Sequence, residues 1–135
     1  MTKCVGRGYV RVFTTKSFRR FQRKEGIRDE ALAGAVRRAE RGLIDADLGT
    51  GVIKQRVARP GEGRRGGYRT IIAFRTSQRA VFVFGFAKSD LDNLSKADER
   101  DLKDYAGLLL GLDARGIETM LNGRELMEVR YEKEG

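Results

Sequence analysis

Histidine and tryptophan are absent from the 135 residues, and there is one cysteine, Cys4, and one proline, Pro60. Without an imidazole, Ser-His-Asp and Cys-His nucleophile systems, His-ligated zinc and a His acid/base pair are all excluded. Any catalysis must therefore use Arg, Lys, Tyr or carboxylates. A lone Cys4 cannot form an intramolecular disulfide, in agreement with a reducing compartment. No apolar run approaches the ~18 residues of a membrane span. The opening Met1-Thr-Lys-Cys-Val-Gly lacks the apolar core of a signal peptide. A cytoplasmic protein without a membrane partner is the expectation, and the length leaves room for a single domain, 1–135.

What is abundant is positive charge. Lys and Arg number 28 against 19 acids, a net +9. The charge is distributed in blocks: Met1–Lys24 is +8, Glu25–Thr50 is −2, Gly51–Lys88 is +8 and Ser89–Gly135 is −5. Two basic blocks and an acidic C-terminal block predict one polyanion-binding face backed by an acidic surface.

The pattern of apolar residues predicts an α+β fold. Tyr9-Val-Arg-Val-Phe13 reads as a first strand. Thr15 can cap a helix carrying Phe18 and Phe21 on one face, with Gly26 as its stop. Asp29 can cap a second helix, with Leu32, Val36 and Ala39 at i, i+4 and i+7 and Gly42 closing it. After a turn at Asp45–Gly49, three β-branched and aromatic runs, Val52–Val57, Tyr68–Arg75 and Ala80–Phe86, predict an antiparallel meander with one covered face. Ser95 can cap a third helix with Leu102, Tyr105, Leu109 and Leu112 on its apolar stripe. Glu125–Tyr131 alternates like a last short strand.

Between the first two runs of the meander lies Pro60-Gly-Glu-Gly-Arg-Arg-Gly-Gly-Tyr-Arg69, which reads as a flexible basic loop. Gly61–Gly66 matches G-x-G-x-x-G, but a strand follows where a dinucleotide site needs a helix. The loop instead offers Arg64 and Arg65 as donors to phosphate oxygens. Tyr68 stands at its rim as a possible base-stacking ring, whereas the phenylalanines belong in the core. Asp45-Ala-Asp47 is not a calcium loop, since its twelfth position is Arg56 where a bidentate Glu is needed. Asp98, Asp101 and Asp104, interleaved with Arg100 and Lys103, form a solvated helix face, so no metal and no cofactor is assigned.

The ordered set Leu48-Gly-Thr-Gly-Val-Ile-Lys54-Gln-Arg56, Gly66-Gly-Tyr-Arg69-Thr-Ile-Ile-Ala-Phe74, Phe84-Gly-Phe-Ala-Lys88 and Asn93-Leu-Ser95 resembles the RelE/ParE superfamily of bacterial toxins, its HigB-like branch in particular. The resemblance runs from about Tyr9 to Leu112. It implies a RelE-like fold, with an N-terminal helical hairpin packed on a small twisted antiparallel sheet and a C-terminal helix. It also implies an mRNA endoribonuclease that works at the ribosome without a metal and is neutralised by a cognate antitoxin, expected to carry a helix-turn-helix domain. Carried onto this chain, the resemblance puts catalysis on Lys54, Arg65, Arg69 and Lys88 and RNA binding on Arg56, Arg59, Arg64 and Tyr68. Arg65, Arg69 and Lys88 are expected to converge at one edge of the sheet. Attack of a 2′-OH on the adjacent phosphate needs a proton acceptor, cations for the pentacoordinate phosphate and an acid for the departing 5′-oxygen. A lysine serving as the base would need its pKa lowered by neighbouring positive charge. Tyr131 is a conceivable counterpart of a catalytic residue that some relatives place near the C-terminus. Two alternatives stay open: a ParE-like protein that inhibits DNA gyrase and cleaves nothing, and a non-catalytic RNA-binding protein.

Overall fold

The computed structural model describes residues 10–59, 63–76, 78–87 and 95–130; at 58–59 and 63–66 the description covers the backbone alone. The described residues form six strands and four helices: β1 Arg11–Thr15, α1 Lys16–Glu25, α2 Asp29–Glu40, β2 Ala46–Gly49, β3 Val52–Arg59, β4 Gly63–Arg75, β5 Arg79–Ala87, α3 Lys96–Leu110, α4 Ala114–Asn122 and β6 Leu126–Glu128. None of these helices is long and apolar enough to cross a membrane.

Local chemistry sets the helix ends. Thr15 Oγ1 accepts from Phe18 N, and Gly26 closes α1 in the left-handed region at φ 71°. Ser95 and Asp113 cap α3 and α4 in the same way, accepting from Asp98 N and Gly116 N. Asp29 does not cap α2. Its carboxylate instead accepts from Gln22 Nε2 at 2.7 Å and Arg19 Nη1 at 3.3 Å, joining α1 to α2. The helical hairpin follows a strand rather than opening the fold, and α4 is an addition to the single C-terminal helix that was expected.

The sheet runs β2-β3-β4-β5-β1-β6. Every pairing is antiparallel except that of β1 with β5, which is parallel, so the sheet is not a pure meander. The parallel pair arises because the α1–α2 hairpin carries the chain from β1 across one face to the far edge at β2, and the meander then steps back until β5 lies beside β1. Contrary to the expectation of one covered face, both faces carry helices. Phe18, Leu32, Val36 and Ala39 of α1 and α2 pack on Ile53, Val57, Tyr68, Ile72 and Phe82. Ala106, Leu109, Leu110 and Ile117 of α3 and α4 pack on the opposite set, Val52, Ile71, Ala73 and Val81. The buried stripe of α3 is thus Ala106, Leu109 and Leu110; Tyr105, assigned to it from spacing, is 38 % exposed. The apolar residues of β3, β4 and β5 alternate between two oily faces, and each face needs its own cover.

Two arginines of the second basic block are structural. Arg75 Nη1 donates to Leu110 O at 3.0 Å, and Arg79 Nη1 to Leu109 O at 2.9 Å and Leu112 O at 3.0 Å. They satisfy carbonyls at the C-terminal end of α3, where intrahelical donors run out, and that of Leu112 just beyond it. Burial, then Arg75 and Arg11, hold the Arg79 guanidinium below its ordinary value.

Helix α1 approaches β5 closely at Gly85, where an added Cβ would stand 2.6 Å from Phe21 Cε2 and 2.8 Å from Phe18 Cε1. Phe18 is 1 % exposed and stacks on Phe82, so its ring has nowhere to move. Gly85→Ala is expected to lower unfolding free energy by about 1–3 kcal/mol, the usual cost of overpacking, as read by urea denaturation.

Candidate nucleic-acid interface

Alternation along β3 separates its residues cleanly. Ile53, Gln55 and Val57 point into the α1/α2 layer, so Lys54 and Arg56 project from the opposite face, the one that α3 and α4 cover in part. In β4, Tyr68 and Ile72 belong to the α1/α2 layer and Ile71 to the other, which sends Arg69 to the side of Lys54 and Arg56. The register then fixes two rows across the sheet. Arg56 lies opposite Arg69, which lies opposite Phe86; Lys54 lies opposite Ile71, which lies opposite Phe84. Directly opposed residues have Cβ atoms about 4.5–5.5 Å apart and diagonal ones about 7–8 Å, so Arg56, Arg69 and Lys54 can all reach one phosphate.

Two like charges directly opposite each other destabilise a strand pair. Here they are not neutralised: among the described residues, no carboxylate pairs with the side chains of Lys54, Arg56 or Arg69. Lys54 and Arg69 are half-buried and Arg56 is exposed. The aromatic end of the rows is close-packed, with Phe84 and Phe86 rings 5.7 Å apart; Phe84 is half-buried and Phe86 buried.

The strand segment that carries the cations is held from outside. Gln55, 1 % exposed, donates through Nε2 to Ala35 O and Leu43 O, both at 3.0 Å, while its Oε1 accepts from Asp45 N at 3.0 Å. β2 pairs with β3 only as far as Lys54. Beyond that point the Asp45 carboxylate takes over, accepting from Arg56 N at 2.7 Å, and Arg38 donates to Arg56 O. Sequence reading assigned no role to Gln55, Asp45 or Arg38. A Gln at an apolar-phase position of a β-run is the signal that was present.

The site residues expected from sequence divide as follows. Lys54, Arg56 and Arg69 come together on one face. Tyr68 is a correction: it is 2 % exposed, its ring meets Phe21 edge-on at 5.7 Å and its hydroxyl donates to Glu25 O, so it is sealed beneath α1 and presents no ring for stacking. The phase of β4 demands this, because Arg69 faces one way and its neighbour the other. Arg69 is also not at an edge, since β4 lies between β3 and β5. The supposed basic loop is shorter than expected, because β4 already begins at Gly63, paired with Arg59. The side chains of Arg59, Arg64 and Arg65 lie outside the described residues, as do Lys88 and Tyr131 entirely.

Lys54, Arg56 and Arg69 thus form a cluster of cations on one face of a small α+β sheet, without a carboxylate partner among the described residues. Residues 10–129 match the family model described as the RelE toxin of the RelE/RelB toxin-antitoxin system, and the chain belongs to that family. It is a toxin of the kind that pairs with an antitoxin. A comparison with curated proteins returned no match.

Replacing Gln55 by Leu leaves Asp45 N and the carbonyls of Ala35 and Leu43 without their partner. The expected loss is about 2–3 kcal/mol of stability in chemical denaturation, since unsatisfied buried groups cost about 1–3 kcal/mol each and some regain water.

Proposed function

We propose that this toxin is an mRNA endoribonuclease of the HigB-like kind, acting at the ribosome without a metal and held in check by an antitoxin that carries a helix-turn-helix domain. The observation that supports this reading is the opposed Arg56–Arg69 pair with Lys54 on its diagonal, three cations retained together against their mutual repulsion. A protein interface depletes charge at its core, which weighs against a gyrase-binding surface here.

In the proposed reaction the 2′-oxygen attacks the adjacent phosphorus and the bond from phosphorus to the 5′-oxygen breaks. The proton lost by the 2′-hydroxyl goes to a base, and an acid supplies one to the departing 5′-oxygen. Lys54 and Lys88 are the candidates for these proton transfers. Arg56 and Arg69 hold the phosphate as negative charge grows on its equatorial oxygens, a role for which a guanidinium fork is suited. Arg65 is assigned to the same phosphate, and Arg59 and Arg64 to phosphates further along the strand. Half-burial strengthens the Lys54 and Arg69 contacts relative to fully hydrated ones.

Induction of the toxin in cells followed by mapping of mRNA 5′ ends tests the reading. New 5′ ends within translated messages are expected, and Arg69→Ala should reduce their rate of appearance on the order of 10²–10³-fold. Growth arrest without new 5′ ends, accompanied by loss of DNA supercoiling, would instead identify a gyrase inhibitor.

For the purified protein, binding of a 2′-O-methyl RNA, which lacks the attacking hydroxyl, should weaken steeply with salt. Arg56→Ala with Arg69→Ala should flatten that dependence by about two in the slope of log K against log salt. An unchanged slope would show that this row does not hold phosphates.

A further inference from the structure

The cations of α1 and the cation row of β3 and β4 do not share a face. α1, which carries much of the first block, lies over the α1/α2 side of the sheet, while Lys54, Arg56 and Arg69 leave the other side. Lys16, Arg20, Arg23 and Lys24 stand at i, i+4, i+7 and i+8, all exposed, on the side of α1 away from the buried Phe18 and Gln22. They extend over about 12 Å at 1.5 Å per residue, the reach of a few successive phosphates. Among the described residues none of the four has an ion pair or a side-chain hydrogen bond. The Asp29 carboxylate at the start of α2 is occupied by Arg19 and Gln22.

Arg23 and Lys24, in the last turn, suit the helix dipole, but the stripe otherwise works against the helix that bears it. Lys16 and Arg20 repel at i,i+4, as do Arg20 and Lys24. Lys16 also sits in the first turn, at the positive end of the helix dipole, where the helix has no acid. Residues that violate local rules together, without an internal partner, are expected where something outside the chain compensates them.

We infer that α1 forms a second RNA-binding surface, which holds the phosphate backbone of a structured RNA on the side of the sheet opposite the proposed cleavage site. The inference rests on the reading of the chain as an RNA-directed toxin and adds a second point of attachment to it. A phosphate backbone fits this surface better than an acidic protein does. The exposed large apolar side chains of the described residues, Leu43, Tyr105 and Leu108, all lie off α1, so the stripe has no apolar or aromatic anchor of the kind that protein interfaces are built around. Attachment on both sides would grip a structured RNA while the other face receives the strand to be cut.

The test measures binding of the full chain to a labelled 2′-O-methyl RNA hairpin by fluorescence anisotropy across a series of salt concentrations. Replacing Lys16, Arg20, Arg23 and Lys24 together by Ala should reduce the slope of log K against log salt by about three, with an unchanged or higher melting temperature because repulsion is removed. Arg20→Glu provides the independent arm. It places an acid four residues from both Lys16 and Lys24, so stability should rise while RNA affinity falls several-fold. An unchanged salt slope in the fourfold variant overturns the inference. So does a fourfold variant that keeps its RNA affinity and loses a co-purifying antitoxin, which would make the stripe a protein surface. The row of Arg56 and Arg69 is measured in parallel: if only that pair fails to alter binding, the proposed cleavage site is wrong and α1 is judged on its own variants.

Discussion

The register between β3 and β4 is the constraint on which the molecule depends. With a side-chain period of two, each residue of β3 from Val52 to Val57 is committed to one helical layer or the other. A slip of one residue would drive Lys54 and Arg56 under α2 and expel Gln55 and Val57. The side chain of Gln55 works against that slip. Its amide is matched to two carbonyls and one N–H that belong to the α2 region, a set no neighbouring side chain of β3 can reproduce. Stability and charge placement therefore have one cause. The same bonds that seal the α1/α2 layer aim the cations out of the opposite face.

Seen through that constraint, the basic stretch 51–88 divides by role rather than by position. Arg75 and Arg79, at the hairpin end of β4 and β5, bind the terminal carbonyls of α3 and so hold the second helical layer in place. Arg56 and Arg69, toward the other end of the same strands, have no internal acceptor for their side chains among the described residues. Charge counted along the chain cannot separate a guanidinium that is a structural donor from one kept available for a ligand. The acidic C-terminal block likewise does not form a back: α3, with Asp98, Asp101 and Asp104, packs on the same side of the sheet as the cation row.

Much of the fold was legible locally. Thr15, Gly26 and Ser95 mark helix ends by short-range hydrogen bonding, and the β-branched runs announce β3, β4 and β5 within a few residues. What sequence reading missed depends on distant partners. β2 is too short and polar to declare itself and exists because β3 offers an edge. The extension of β4 back to Gly63 depends on pairing with β3, which overrides the weak strand propensity of its glycines. Of the candidate site, the family resemblance named Lys54, Arg56 and Arg69, which share one face, but the burial of Tyr68 follows from strand phase, which its place beside a glycine-rich stretch concealed.

The position of β1 has a consequence for how the chain acquires its shape. Phe13 lies between Val81 of β5 on one side and Glu128 of β6 on the other. The central hairpins can form from neighbouring sequence, but β1 must wait for strands made much later, and such non-local closure is slow. During synthesis the segment with Val12 and Phe13 stays without a strand neighbour until β5 has left the ribosome, and without its second until residue 128 has. Closure of the sheet thus waits on β6, the strand farthest along the chain from the one it must meet.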